Sequence, residues 1–379
     1  MFYLSISLQL HTKGVCNLGK LNYFLGTKAS RDGRPSRYPD IDFCTNTEAI
    51  CSKEDSRSMA MRWDVALFEW VMKVQSYTSP SSDTLKWNFM DEISNFVLSG
   101  DLIDSVKFSV VQGEASHFID AVGGILEQGC PNPPCENGDD PANQLHMKAE
   151  RKSNFIKASN GIGLPVMSDL FRVTEDHFTT NTIMQGFMDN ILLSKSPVDG
   201  KMYTSSQYRH FNDFIKALRK MADRGFEDEF FYIGQGAQPD DETARLDNGG
   251  LLNIALFLTY AIDMSILDDA CDEHNTQLIN GRYPVSNSCG QYGENYQDIV
   301  CSAEDAGKEC PLDPNQSFSA VTSFFDLKAP QPFKCASKTQ YRVTGFWDEV
   351  ELEENDQTAF SNEVGRVDVE GKYCIIFYF

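Results

Sequence analysis

Residues 253–275 (NIALFLTYAIDMSILDDACDEHN) join an apolar helical pattern to the acids Asp268, Asp269, Asp272 and Glu273. Carboxyl groups at the end of a buried helix can perform acid–base chemistry, because poor solvation raises the pKa of a carboxylic acid. Hydrolysis of a glycosidic bond with inversion needs two such groups, one to protonate the leaving oxygen and one, about 6.5–9.5 Å away, to activate water. The same pattern is also typical of a core helix with a solvated end.

Helices must position any such acids. Apolar residues recur at helical spacing in residues 60–74, with Trp63, Leu67, Trp70 and Val74 on one stripe. The same spacing recurs in 206–225 and 251–266, and further helices are predicted for 116–129, with a break at the glycine pair 123–124, for 148–161 and for 180–193. One short strand is predicted at 106–111. We therefore expect a mainly helical protein with long loops and little strand.

Other chemistries find little support in the sequence. The glycine pairs in 161–163 and 234–236 follow no convincing strand, which argues against dinucleotide binding. Residues 313–318 begin like a calcium loop but lack its later glycine and glutamate. No GxSxG motif occurs, the six histidines are scattered, and the cysteine spacing is not that of a zinc site. We expect no cofactor and no metal.

The charge of the chain restricts its partners. Its 379 residues include 33 Lys+Arg and 55 Asp+Glu, a formal net charge of −22. Such a surface repels phosphate groups, so nucleic acids and anionic membranes are not expected as partners, whereas a neutral polysaccharide meets no such repulsion. No run of about 18 apolar residues predicts a membrane span. The expected state is a monomer.

The eleven cysteines lie mostly in loop-like sequence rich in Pro, Gly and Asn. Disulfides fit this setting, and they indicate an extracellular or secretory location. The odd total leaves one thiol over, for which Cys374 is the candidate. The acceptor sequence Asn315–Gln316–Ser317 agrees with secretion, although the first ten residues do not make a convincing signal peptide.

Several segments, taken in order, resemble family-19 chitinases, which are inverting glycoside hydrolases of the lysozyme-like superfamily. Residues 253–265 are similar to the helix whose end carries the general acid, and 289–301 to the cysteine-bounded loop with the second glutamate. Residues 365–374 look like the segment before a strand of the family. The resemblance implies a bilobal, lysozyme-like α+β fold and a substrate of β-1,4-linked N-acetylglucosamine.

The order of the segments is rotated relative to the family. Residues 1–160 resemble the C-terminal half of a chitinase-like module, on the segments 14–26, 38–77 and 118–163. Residues 206–379 resemble the N-terminal half, and 161–205 form a connector. The expected explanations are a circular permutation and a piece cut from a tandem array.

The resemblance also implies site residues. It makes Glu294 the candidate base, and it aligns Asp263 with a histidine and Met264 with the general acid. A thioether cannot donate a proton, so Asp263 is the candidate substitute acid. Substrate contacts are expected from residues in cleft positions or with aromatic faces: Asn17, Trp70, Glu127, Arg151 and Trp347.

Three functions follow from these residues. The first is a chitinase-like glycoside hydrolase with an inverting acid/base mechanism, impaired because Met264 replaces the acid. The second is a module that binds chitin or a related polysaccharide without cutting it. The third is a structural extracellular protein that keeps only the fold.

Overall fold

The computed structural model describes part of the chain, and every structural statement below concerns that part: residues 14–50, 56–79, 87–99, 113–131, 149–164, 178, 180–195, 203–206, 210–234, 248–266, 300–311, 365–367 and 373–375. Of the described residues, 67% are helical and 4% lie in strands. The mainly helical class predicted from the sequence is therefore confirmed. The predicted strand at 106–111 lies outside the described residues.

Nine α-helices are described, numbered here along the chain: α1 Gly14–Leu25, α2 Thr27–Arg31, α3 Ser56–Trp70, α4 Phe89–Ser99, α5 Gly113–Gln128, α6 Ala149–Gly161, α7 Asn181–Asn190, α8 Phe211–Asp223 and α9 Asn248–Ala261. Two of them continue as π-helical turns, α3 into Val71–Gln75 and α9 into Ile262–Ile266. Short 3₁₀ helices lie at Thr47–Ile50 and Ala306–Lys308.

Four three-residue strands form two antiparallel pairs within the described residues. Strand β1 (Leu193–Lys195) pairs with β2 (Tyr203–Ser205), with Ser194 opposite Thr204. Strand β3 (Gly365–Val367) pairs with β4 (Tyr373–Ile375), with Arg366 opposite Cys374.

The chain divides into two compact units. The terminal unit comprises Met1–Arg62 and Ala270–Phe379, and the central unit comprises Trp63–Asp269. These limits differ from the predicted segments 1–160, 161–205 and 206–379. Because those segments were defined by resemblance and not by compactness, that division stays a prediction.

Two disulfides join distant parts of the terminal unit. Cys16 in α1 is bonded to Cys301, 285 residues away, and Cys44 is bonded to Cys310, 266 residues away. The backbone N–H of Cys310 donates to the carbonyl of Val15 at 2.9 Å. The predicted disulfides are thus confirmed at these two pairs. The two covalent bonds hold the 300–311 segment against α1 and the loop after α2. Because each bridge closes a very long loop, it also restricts the unfolded chain strongly.

Asp305 adds an ion pair to the same contact. Its carboxylate lies 2.5 Å from Lys20 Nζ and 2.7 Å from Lys308 Nζ. Burial acts to raise the pKa of Asp305, but hydrogen bonds and charge from Lys20 and Lys308 outweigh it, and the pKa lies below its ordinary value of 3.8. A carboxyl group with a lowered pKa stabilises the folded state above its ordinary pKa, and this contribution is lost as the pH falls through the folded-state value.

Asp305→Asn is therefore expected to lower the free energy of unfolding at neutral pH and to have less effect at a pH well below 3.8. The expected loss is about 0.2–1 kcal/mol, the range of partly exposed ion pairs. Urea unfolding followed by circular dichroism at the two pH values measures it. Asp223→Asn serves as the control, since Asp223 forms an exposed pair with Arg219 in the other unit. An equal loss at both pH values would contradict the electrostatic explanation.

The core of the central unit is built around α9. Every residue from Gly249 to Ile262 is buried. The ring of Phe257 contacts Trp63, Trp70 and Phe214, with centroid distances of 5.8–6.3 Å. A helix that is apolar on all sides belongs inside a protein. The structure agrees with a core helix, which both interpretations of this sequence pattern had assumed.

The predicted apolar stripes are confirmed in the central unit. Trp63, Leu67, Trp70 and Val74 are all buried. The buried face of α8 consists of Phe211, Phe214, Ile215, Ala217, Leu218 and Met221. The break predicted at Gly123–Gly124 is wrong, because α5 runs through both glycines without interruption. No helix among the described residues is both long enough and apolar enough to cross a bilayer.

Candidate functional site

Asp263 lies in the π-helical turn that follows α9. Because every residue from Gly249 to Ile262 is buried, the chain reaches Asp263 directly from the core. The wider turn changes the direction in which side chains leave the helix, and π-helical turns are frequent at functional sites. The Asp263 side chain is 8% exposed, so it lies at the border between core and solvent.

Arg151 is the partner of Asp263. It projects from α6, its side chain is 0% exposed, and its Nε lies 3.4 Å from Asp263 Oδ2. At this distance the contact is mainly an ion pair, because a strong hydrogen bond between these atoms is shorter. A buried guanidinium requires a compensating negative charge, since transfer of an unpaired charge out of water costs several kcal/mol. The sequence separation of 112 residues makes this a tertiary pairing of α6 with the end of α9.

Tyr260, one helical turn before Asp263, lies against the same guanidinium. The Arg151 Cζ atom is 5.4 Å from the centroid of the Tyr260 ring. The Tyr260 hydroxyl donates to the carbonyl of Ile119 in α5 at 2.5 Å. Burial raises the pKa of Tyr260 far above its ordinary value; Arg151 acts in the opposite direction, and the charges of Asp120 and Asp263 raise it further. The hydroxyl therefore remains a neutral hydrogen-bond donor.

Gly123 in α5 provides the space for this arrangement. A Cβ atom at this position would lie 2.5 Å from Arg151 Nη1 and 3.2 Å from the Tyr260 hydroxyl oxygen. The first distance is shorter than any van der Waals contact, so a larger residue would displace the guanidinium. Close approach of the two helices thus explains why a glycine lies in the middle of a helix that it would otherwise weaken.

Asp120 brings a second carboxylate to this region. Its Oδ2 accepts a hydrogen bond from Ser116 Oγ at 3.3 Å and lies 3.5 Å from Lys152 Nζ. Asp120 is buried, whereas the Lys152 side chain is 24% exposed. Among the described residues, no group donates a hydrogen bond to the buried Oδ1 atom.

We call Asp120, Arg151, Tyr260 and Asp263 the Asp–Arg–Tyr cluster. Three helices supply it: α5, α6 and α9 with its π-helical turn. Two carboxylates are balanced by the guanidinium of Arg151 and the ammonium group of Lys152. Two carboxylates beside a buried phenol can take up and deliver protons, which is the chemistry of general acid–base catalysis. In the described part of the chain, no group of three or more His, Cys, Asp or Glu side chains is placed to hold a metal ion.

Two of the residues predicted from the sequence, Arg151 and Asp263, thus meet in this cluster. A third, Asn17, lies half-buried in α1 of the terminal unit. The side chains of Glu127, in α5, and Met264, in the π-helical turn, lie outside the described structure, as do Glu294 and Trp347 altogether. The roles of Glu294, Glu127, Asn17 and Trp347 stay predictions.

The stacking role predicted for Trp70 needs correction. Trp70 is 0% exposed, and its ring contacts Phe89, Phe257 and Tyr260. Its Nε1 donates to Asn253 Oδ1 at 2.8 Å. A ring with no exposed surface cannot stack on a sugar, so Trp70 is a core residue whose polar atom is satisfied inside the protein.

The sequence did not identify Asp120, Gly123, Lys152 or Tyr260 as members of a site. A partial signal existed, since Tyr260 precedes Asp263 by one helical turn and Lys152 follows Arg151 directly. Asp120 carried no comparable signal, because a single acid in a mixed helix is usually solvated.

Comparison with known proteins adds no relative. No protein-family model, no curated protein and no solved structure matches this chain.

Proposed function

We propose that this chain is a chitinase-like glycoside hydrolase module, with a lysozyme-like fold, that acts on β-1,4-linked N-acetylglucosamine polymers. The observation that carries the proposal is the contact between Asp263 and Arg151, 3.4 Å apart. The resemblance had identified each as a candidate site residue on its own, and they lie 112 residues apart in the sequence. Their meeting is expected if both segments keep the arrangement of the family they resemble.

The proposed reaction is hydrolysis with inversion. Asp263 delivers a proton to the leaving oxygen, and Arg151 fixes the position of its carboxyl group. The resemblance assigns activation of water to Glu294. The rate is expected to be low, because Met264 occupies the general-acid position and loss of such an acid costs about 10²–10⁴-fold.

The setting of the proposed activity follows from composition. The net charge of −22 does not oppose binding of a neutral polysaccharide. The disulfides Cys16–Cys301 and Cys44–Cys310 suit an extracellular or secretory location. The protein is proposed to act as a monomer.

A second candidate function is binding of the same polymers without cleavage. Asp263 is only 8% exposed and already faces the Arg151 guanidinium, so a proton donor at this position is poorly placed to reach a substrate. In this case the Asp–Arg–Tyr cluster only stabilises the fold, and other residues bind the polysaccharide.

Cleavage of the N-acetylglucosamine hexamer tests the proposal. We expect slow hydrolysis whose first product is the α-anomer, visible by proton NMR, because inversion of a β-linkage gives that anomer. Asp263→Asn should lower the rate about 10²–10⁴-fold, and the base role that the resemblance assigns to Glu294 predicts the same loss for Glu294→Gln. Asp268→Asn, just beyond the π-helical turn, is the matched control.

The binding alternative predicts a different result. Chitin retention would then be unchanged in Asp263→Asn and Glu294→Gln, and no product would form. Absence of both product and retention in the unsubstituted protein would exclude both candidates and leave a structural role.

A further inference from the structure

The two carboxylate oxygens of Asp120 differ in their contacts. Ser116 and Lys152 both engage Oδ2, at 3.3 Å and 3.5 Å. The other oxygen, Oδ1, is buried and accepts no hydrogen bond within the described residues. A buried acceptor without a partner is costly, so its presence calls for an explanation such as a bound water or a catalytic role.

We propose that Asp120 is the base that activates the attacking water, in place of Glu294. The inference rests on the proposed function and deepens it, because it names the second carboxylate of the same site. A catalytic carboxylate needs one oxygen fixed by its surroundings and another free to bind water, and Asp120 has this arrangement.

The position of Asp120 relative to Asp263 supports this role. The Tyr260 hydroxyl binds the carbonyl of Ile119, the residue directly before Asp120. Asp263 follows Tyr260 by one helical turn. The two carboxylates belong to different helices, α5 and the π-helical turn after α9, and the charges of both raise the pKa of Tyr260.

The charges around Asp120 suit a base. The ammonium group of Lys152 lies 3.5 Å from Oδ2 and places a positive charge beside this buried side chain. Lys152 is itself partly exposed, at 24%, so the cluster reaches solvent on this side. The proposal places the attacking water at Oδ1, the oxygen that has no hydrogen-bond partner among the described residues.

The step balances as a simple addition of water. Asp120 removes a proton from the water while the water oxygen forms a bond to the anomeric carbon. The bond from that carbon to the glycosidic oxygen breaks, and the leaving oxygen takes a proton from Asp263. Exchange of protons with solvent then restores both carboxyl groups, so no other reactant is consumed.

The experiment uses a 4-nitrophenyl glycoside of the N-acetylglucosamine trimer. Its leaving group needs no protonation, so the methionine at position 264 does not limit cleavage. Asp120→Ala should reduce release of nitrophenol about 10²–10⁴-fold. Added azide should then restore release and give the α-glycosyl azide, because the small anion attacks from the face that the water used.

Three further variants complete the test. Asp91→Ala removes an exposed carboxylate of α4 in the same unit and should retain most of the activity, without any azide product. Glu294→Ala, given the same glycoside and azide, should form no glycosyl azide. If Asp120→Ala fails to fold, as judged by near-ultraviolet circular dichroism, Asp120→Asn keeps the shape, and it should lose activity while retaining affinity for the trimer.

The outcomes separate this inference from the proposed function. Glycosyl azide from Asp120→Ala supports Asp120 as the base. Cleavage by the unsubstituted protein together with azide rescue of Glu294→Ala alone overturns the inference and leaves the proposed function standing. Full activity in Asp120→Asn also overturns the inference. If the unsubstituted protein does not cleave the trimer glycoside, the proposed function fails, and the role of Asp120 fails with it.

Discussion

Met264→Glu is expected to raise the rate of chitin-oligomer hydrolysis about 10²–10⁴-fold, the contribution of a positioned general acid. Met264 follows Asp263 in the π-helical turn after α9, at the position where the resemblance places the acid. A glutamate there would emerge from the end of a buried apolar helix, and poor solvation would favour its protonated, proton-donating form.

Several measurements make this expectation specific. Initial rates on the N-acetylglucosamine hexamer should rise for Met264→Glu, with the α-anomer still the first product. On the 4-nitrophenyl glycoside the gain should be much smaller, since that leaving group needs no acid. Met264→Gln, of equal size but without a transferable proton, is the matched control. An equal rise in Met264→Gln, or no rise in either variant, would show that position 264 is not the acid position.

The helices and their buried faces could be predicted from the sequence because they depend on local spacing. The apolar stripe of α8 gives Phe211, Phe214, Leu218 and Met221 a common face, and the structure buries all four. Periodicity could not predict the two π-helical turns, since their wider geometry follows from what packs around them. The turn Ile262–Ile266 matters most, because it sets the position of Asp263.

Gly123 in α5 shows a second limit of prediction from local sequence. Taken locally, Gly123 and Gly124 predict a helix break, because glycine weakens helices. In the folded protein Gly123 faces Arg151 and Tyr260, where a Cβ atom would collide with the guanidinium. Packing of α6 and α9 against α5 outweighs the local preference. Only tertiary information distinguishes a glycine that ends a helix from one that admits a neighbour.

The members of the Asp–Arg–Tyr cluster show why the site itself was only half predicted. Arg151 and Asp263 were identified by resemblance, but their contact joins residues 112 positions apart, and spacing carries no information on such pairs. Asp120 was missed because its significance lies in what surrounds it. The fold, not the residue type, buries Asp120, pairs it with Lys152 and leaves Oδ1 without a hydrogen-bond partner among the described residues.

Arg151→Met is expected to be the most destabilising single change in the central unit. It removes the guanidinium beside Asp263 and leaves that carboxylate, 8% exposed, without this countercharge. Breaking a buried ion pair by removing one partner typically costs about 3–5 kcal/mol, because the remaining charge stays desolvated. Urea unfolding followed by tryptophan fluorescence measures the loss, since three of the four tryptophans, Trp63, Trp70 and Trp87, lie in this unit.

The electrostatic origin of this loss is tested by a double-mutant cycle. Arg151→Met combined with Asp263→Asn removes both charges and should recover a large part of the stability lost in Arg151→Met alone. Arg151→Lys keeps the charge but loses the planar group that lies against Tyr260, so it should fall between Arg151→Met and the unsubstituted protein. Additive losses in the double variant would mean that Arg151 stabilises the unit by packing against Tyr260 and Gly123. The contact with Asp263 would then be incidental, and the main support for a chitinase-like arrangement would be lost.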